Sequence, residues 1–306
     1  MEIEMAADRA SYSGGAAFCE GRFVPVGEAR VPILDWGFLR SDATYDVAHV
    51  WRGSFFRLED HLSRFARGME RLRMRLPYGR AQIREILIEC VRLSGLRDAY
   101  VEVVCTRGVP PPGSRDPREC ENNLFAFAVP FVWIADPEKQ ERGLGAVIGS
   151  VQRIQPEAVD PTVKNYHWLD LVSGLYEAYD RGGETVILVD REENVVEGPG
   201  FNVFAVKDGE VFTPDRGVLE GVTRRTVIEL AAEKEIPLQV RKVPAREVRG
   251  ADEVFVTSTA GGIIPVTRVD GAPVGEGAPG PLTLRLREEY WELHRDPRFA
   301  TPVQYD

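Results

Sequence analysis

The sequence predicts an α+β protein of two domains, and three observations lead there. Strand-like runs and amphipathic helical stretches are mixed along the chain without a regular βαβ alternation. No internal repeat is present. The composition turns polar around Asp136-Pro137, dividing a smaller N-terminal α/β domain, residues 1–135, from a larger C-terminal one, residues 136–306.

In chain order, Ala17-Phe18-Cys19 and Arg22-Phe23-Val24 flank Glu20-Gly21, and the runs Thr44 to Trp51 and Ser54 to Arg57 flank Arg52-Gly53. Both pairs read as hairpins, because glycine supplies the positive φ that a short turn needs. Leu62, Phe65, Met69, Leu72 and Leu76 then recur at helical spacing, with Asp60 as N-cap and Pro77 as stop. A second helix spans about 80–94. Two strand-like runs follow, Tyr100 to Cys105 and Leu124 to Val129. The Gly-, Pro- and charge-rich segment between them, 107–123, is long enough to read as a functional loop. Beyond the boundary the pattern predicts a strand at 145–151, a helix at about 166–180 and a strand from Val186 to Val189. A hairpin of Asn202 to Val206 and Val211 to Thr213 turns at Lys207-Asp208-Gly209. Helices at about 222–235 and 281–294 enclose strands near 238–243 and 253–257.

Composition narrows the function classes. The 306 residues are 43% hydrophobic and 28% charged, ordinary for a chain that buries a sizeable core. No apolar run approaches the ~18 residues of a membrane span. The acidic N-terminus lacks the apolar stretch of a secretory signal, and its first dozen residues read as a loosely held tail. Four cysteines without a CxxC pattern read as reduced thiols of a cytoplasmic protein, and four histidines without HExxH make a metal enzyme a poor expectation. A net charge of −10 is the wrong sign for binding a nucleic-acid backbone. The G-x-G-x-x-G, P-loop and G-x-S-x-G signatures are all missing.

A few segments carry chemical potential. Lys164 sits among apolar, aromatic and proline neighbours in Val159 to Trp168, just before a helix and away from any basic run. A desolvated lysine holds some free amine and can form an imine; a solvated surface lysine is the plainer alternative. Glu197 leads into Gly198-Pro199-Gly200, where glycine permits close approach of a ligand, and is otherwise a surface acid at a strand end. Leu219-Glu220-Gly221-Val222-Thr223 enters a helix, where free N–H groups and a hydroxyl suit a phosphate or serve only as a cap. Thr257 to Gly262 is a similar hydroxyl-rich turn, and Arg64 lies on the first helix.

Taken in order, Phe56 to Arg64, the Lys164 segment, Glu197 to Val203, Gly221 to Arg224 and Thr259 to Gly262 resemble the fold-type IV pyridoxal-phosphate enzymes. That class includes branched-chain and D-amino-acid aminotransferases, (R)-selective amine transaminases and aminodeoxychorismate lyases. The resemblance implies two α/β domains with the cofactor in the cleft between them, the larger one binding the cofactor, and a homodimer. By it, Lys164 is the Schiff-base lysine and proton shuttle, and Glu197 the partner of the pyridine nitrogen. Arg64, Val222, Thr223 and Thr259 form the phosphate cup. The string Val159 to Asp170, with Asp35 to Phe38 and Ser41 to Tyr45, looks most like the (R)-selective amine transaminases. By that likeness Tyr45, Phe131 and Trp168 line the substrate pocket, with Ala260 beside them; core packing is the alternative for these aromatics and the better reading for Phe131. Arg40 stands where that branch usually has His, and Leu169 where it has Gly. Arg40 is either a donor to a substrate carboxylate or an exposed arginine on a turn, and Arg115 in the 107–123 loop is either a second carboxylate clamp or a solvated charge. The implied reaction moves an amino group from an (R)-amine or D-amino acid to a keto acid such as pyruvate or 2-oxoglutarate. Branched-chain L-amino-acid transamination and aminodeoxychorismate lysis on the same fold are the alternatives.

Overall fold

A computed structural model describes residues 14–305. The N-terminal tail expected from the sequence lies outside those residues. The described residues form two compact units, 14–132 with 300–305, and 133–299. Residues 300–305 belong to the first unit, where Ala300–Pro302 pair with a strand.

The first unit opens with β1 (Ala16–Cys19), β2 (Arg22–Pro25), the short α1 (Trp36–Arg40), β3 (Ala43–Trp51) and β4 (Ser54–Phe56). Both expected hairpins form, and both turns hold two left-handed residues: Glu20 and Gly21 at φ 51° and 75°, Arg52 and Gly53 at 51° and 82°. This is the backbone twist that suits a two-residue connection. Next come α2 (Leu58–Arg71), α3 (Arg80–Ser94), β5 (Ala99–Thr106) and β6 (Asn123–Pro130). Helix α2 begins before Asp60, with left-handed Arg57 as its cap, and ends before Leu76 because Arg73 turns left-handed at φ 54°. The antiparallel sheet runs in the order Ala300–Pro302, β4, β3, β5, β6, β1, β2. Helices α2 and α3 bury Leu58, Leu62, Phe65, Ile83 and Leu87 against Ala48, Val50, Val101 and Val103 of one sheet face.

The second unit begins with α4 (Pro137–Arg142), β7 (Leu144–Gln152), α5 (Leu169–Asp180), β8 (Thr185–Val189) and the two-residue β9 (Glu197–Gly198). It continues through β10 (Phe201–Lys207), β11 (Glu210–Pro214), α6 (Val222–Glu233), β12 (Leu238–Arg241), α7 (Ala245–Arg249) and β13 (Glu253–Ser258). The unit ends with β14 (Gly262–Val269), β15 (Ala272–Pro273) and α8 (Pro281–Glu292). The mixed sheet is ordered β12, β11, β10, β13, β14, β7, β8, with β9 on β10 and β15 on β14. One face packs Val203, Ala205, Val254, Val256 and Ile264 into a single core. Among the described residues no helix is long and apolar enough to cross a membrane.

Candidate active site

The segment between β7 and α5 carries Lys164, and short side-chain turns pin it on both sides. Asp160 Oδ1 accepts from the Thr162 N–H at 2.9 Å and its hydroxyl at 2.6 Å. Asn165 donates to the Val163 carbonyl at 2.8 Å and accepts from the His167 N–H at 3.0 Å. Val163 is buried while Lys164 is half-buried, so the backbone is anchored and the amine keeps access to its surroundings. Trp168, at the start of α5, packs on the Leu171–Leu188 cluster. Its ring also lies beside Gly200, whose φ of 81° belongs to the turn after Glu197.

Glu197 is 7% exposed and sits opposite Asn202 in the β9–β10 pair. Its carboxylate accepts from Arg153 Nε at 3.2 Å and from the Leu219 N–H at 2.8 Å. Arg153 in turn donates through Nη1 to Asp170 at 2.7 Å, giving a half-buried Asp170–Arg153–Glu197 chain. Burial pushes the Glu197 carboxyl above the usual carboxylate range, and the charges of Arg153 and Lys164 and the Leu219 N–H oppose that shift. Such a carboxylate is suited to share a proton with a ring nitrogen. Arg153 and Asp170 were missed in the sequence: they stand far from Glu197 along the chain, and no local pattern marks the contact.

The start of α6 supplies a second set of groups. Gly221 is its extended N-cap and no side chain caps the helix. The first intrahelical bond runs from the Arg225 N–H to the Gly221 carbonyl, so the N–H groups of Val222, Thr223 and Arg224 precede it. A Cβ on Gly221 would fall 2.1 Å from Asn202 Oδ1, and Asn202 Nδ2 holds the Leu219 carbonyl at 3.0 Å. Asn202 therefore clamps the 219–221 turn that both orients Glu197 and opens α6. Opposite Asn202 on the neighbouring strand lies Thr257, whose buried hydroxyl has no hydrogen-bond partner among the described residues. Thr259 is half-buried in the next turn. That turn is tied down by Ser258 Oγ, which donates to the Gly200 carbonyl at 2.8 Å and accepts from the Ala260 N–H at 3.1 Å. Helix N–H groups, two threonine hydroxyls and an orphaned third suit the oxygens of a phosphate ester.

In the first unit Arg64 is buried on α2, where Nε and Nη2 grip both oxygens of Asp46 at 2.7 and 2.8 Å. Tyr45 is buried on β3, and Phe131 packs edge-on against His49 and Trp51 of the same strand. Arg40 is exposed at the end of α1 with its guanidinium 3.4 Å over the Trp36 ring, a cation–π contact. Arg115 is exposed in the 107–123 loop. That loop holds only a 3-10 turn at Pro117–Glu119.

The comparisons with known proteins agree in kind. The family model described as amino-transferase class IV matches residues 43–269. A putative branched-chain-amino-acid aminotransferase of Methanocaldococcus jannaschii is 32% identical over 90% of this chain and 95% of its own length. A D-alanine aminotransferase of Bacillus licheniformis is 30% identical, covering 87% and 93%. The crystal structure of the branched-chain amino acid aminotransferase from Thermobaculum terrenum, in its PLP-bound holo form, superposes with a TM-score of 0.85 at 29% identity, covering 94% of this chain and 98% of that one. With a family match over most of its length, the chain belongs to the class IV aminotransferases, the fold-type IV enzymes that move amino groups with pyridoxal 5′-phosphate.

Proposed function

We propose that this aminotransferase takes its amino group from a D-amino acid or an (R)-amine and passes it to a keto acid such as pyruvate or 2-oxoglutarate. The observation that carries the chemistry is the Glu197 carboxylate, buried on β9 and held by Arg153 and the Leu219 N–H. The donor class rests on the Val159–Asp170 string, and the D-alanine aminotransferases among its relatives support it. The groups around α6 fit pyridoxal phosphate, which when bound supplies an electron sink for the carbanion formed at the donor carbon.

In this reading Glu197 keeps the pyridine nitrogen protonated. Arg153 and the Leu219 N–H hold its carboxylate in place for that task. Lys164 Nζ takes the proton from the donor's α-carbon and returns one in the second half-reaction. The Val222 and Thr223 N–H groups, the Thr223 and Thr259 hydroxyls and the Arg64 guanidinium hold the phosphate. Tyr45, Trp168 and Ala260 line the space for the substrate side chain. Arg40 and Arg115 are the candidate donors to a substrate carboxylate, and for Arg40 that task competes with its stacking on Trp36. Two copies form the working enzyme. Exposed apolar side chains at Ile33, Leu34, Phe38, Leu169 and Tyr176 support that assembly.

A donor panel tests the reading: D-alanine, D-glutamate, L-leucine and both enantiomers of 1-phenylethylamine, each with pyruvate or 2-oxoglutarate. D-alanine or (R)-1-phenylethylamine should lead. Arg40→Ala should weaken D-amino acids about tenfold more than amines. A clear preference for L-leucine would replace this reading with branched-chain L-transamination, which the Methanocaldococcus jannaschii relative favours. Equal losses for both donor types would remove Arg40 from the carboxylate site.

A further inference from the structure

Asp46 on β3 is 1% exposed, and four hydrogen bonds converge on its carboxylate. Arg64 Nε donates to Oδ2 at 2.7 Å and Arg64 Nη2 to Oδ1 at 2.8 Å. His61 Nδ1 lies 2.8 Å from Oδ1, and the Val47 N–H donates to the same oxygen at 2.8 Å. His61 and Arg64 are three residues apart on α2, so one helix face presents both to one acid. This cluster lies next to an apolar core whose side chains could have filled the same volume. A buried ion pair seldom improves on well-packed hydrophobic residues, so stability does not explain its presence. A two-point grip does accomplish something else: it fixes the plane of the guanidinium and so the direction in which Nη1 lies.

We propose that Asp46, backed by His61, is the positioning residue of Arg64, setting the guanidinium in the orientation that receives the cofactor phosphate. The inference rests on the reading of Arg64 as a phosphate ligand. Asp46 itself touches neither cofactor nor substrate. The Arg64 and His61 contacts hold its carboxyl well below the usual range against the cost of burial, so it stays an anion at any working pH. Burial pushes His61 below its ordinary value, keeping it a neutral donor through Nδ1 rather than a second cation competing for Asp46.

The experiment measures binding of pyridoxal phosphate and of pyridoxal, which lacks the phosphate, to the full chain by absorbance titration. The quantity read is the ratio of the two affinities. Asp46→Asn should lower that ratio about tenfold or more while pyridoxal binding stays within about twofold, because groups that orient a ligand-binding side chain commonly carry effects of this size. His61→Leu leaves the Arg64–Asp46 grip in place, and should lower the ratio in the same direction by less. It carries the test alone if Asp46→Asn does not fold. Equal weakening of both ligands in these variants would mean a purely structural role and would overturn the proposal. So would an unchanged ratio in a background where Arg64→Ala collapses it. If Arg64→Ala itself leaves the ratio unchanged, the phosphate reading of Arg64 fails first, and the positioning role falls with it.

Discussion

At the scale of single residues, the second unit concentrates its charge chemistry on Glu197, and that makes a clean prediction. Glu197→Gln removes a buried anion while Arg153 keeps its 2.7 Å bond to Asp170. No buried cation is stranded, so the melting temperature should hold or rise, whereas the rate should fall about 100-fold or more if Glu197 is the anionic partner proposed for the ring nitrogen. Activity within about threefold of wild type would sink the assignment. The sequence singles out Lys164 and Glu197 only through the order of segments that carries the family resemblance, since each segment alone also suits a surface charge. It does not single out Arg153, because an arginine after a strand looks like any surface charge until the fold brings Asp170 and Glu197 to it. A buried histidine gives a second prediction. His294 stacks on Trp291 at 4.6 Å and bonds the Tyr290 carbonyl through Nδ1, and burial pushes it down to about 4 from its ordinary 6.5. Between those values the unfolded chain binds a proton that the folded chain refuses. Stability therefore falls as pH drops from 6.5 towards 4, by up to roughly 3 kcal/mol from this group. His61 acts in the same direction. The comparison of wild type with His294→Gln isolates the His294 share: denaturant melts at pH 7 and pH 4.5 should differ less in the variant. An undiminished difference would show that His294 is not the group responsible.

At the scale of elements, what the sequence disclosed follows from how local each signal is. The hairpins at Glu20-Gly21, Arg52-Gly53 and Asp208-Gly209 form as expected because two adjacent residues supply the whole turn geometry. Helix α3 also matches its predicted span, closed by Gly95 at φ 69°. The end of α2 was misread, since Leu72 and Leu76 continue the apolar spacing while Arg73 has left the helix. Strand β14 was not foreseen because Pro265 interrupts its apolar run. It is tolerated where Pro265 precedes Val266, the first residue paired with β7, so no β7 ladder bond depends on its missing N–H. The five- and six-residue helices α1, α4 and α7 are too short to show a period. The start of α6 was legible as Gly-Val-Thr, but its dependence on Asn202 was not, because that contact crosses from β10. It yields a prediction at this scale. Gly221→Ala would place a methyl 2.1 Å from Asn202 Oδ1, so Asn202 and the 219–221 turn it clamps must move apart, at a cost of about 1–3 kcal/mol. The same shift moves the Leu219 N–H off Glu197 and the helix start off the proposed phosphate position. Thermal stability and pyridoxal-phosphate affinity should therefore drop together in titrations of the variant. Unchanged affinity despite lowered stability would separate this turn from the cofactor site.

At the scale of the whole molecule, the chain leaves its first unit after Val132, and nothing in the sequence announces that residues 300–305 come back to it. The return is a pairing of residues far apart in the chain, Ala300 with Phe56 and Pro302 with Ser54, and a three-residue strand carries no alternation of its own. Its contribution is nonetheless concrete. Val303 is buried in the first unit's core and its N–H donates to the Gly53 carbonyl at 2.9 Å. The Tyr305 hydroxyl donates to the Leu96 carbonyl at 2.6 Å, and its ring lies 3.8 Å beneath the Arg97 guanidinium. Burying one valine is worth about 1.5–2 kcal/mol, and each net hydrogen bond about 1 kcal/mol, so the segment should contribute roughly 4 kcal/mol. That is a large share of a marginal stability. Its loss should be felt unevenly. Ending the chain at Phe299 uncovers the edge of β4 and opens the core beneath α2 and α3, while the nine-stranded sheet of the second unit loses nothing. Hydrogen exchange on the truncated chain should show faster opening across β3, β4 and α2, with protection of β10 and β13 unchanged, and a first thermal transition should appear below that of the full chain. The groups proposed to hold the cofactor near Lys164 and Glu197 should survive that change, and so should the borohydride trapping of pyridoxal phosphate expected on Lys164. Loss of protection spread evenly over both units would show that the C-terminal segment stabilises the molecule through something other than the sheet it joins.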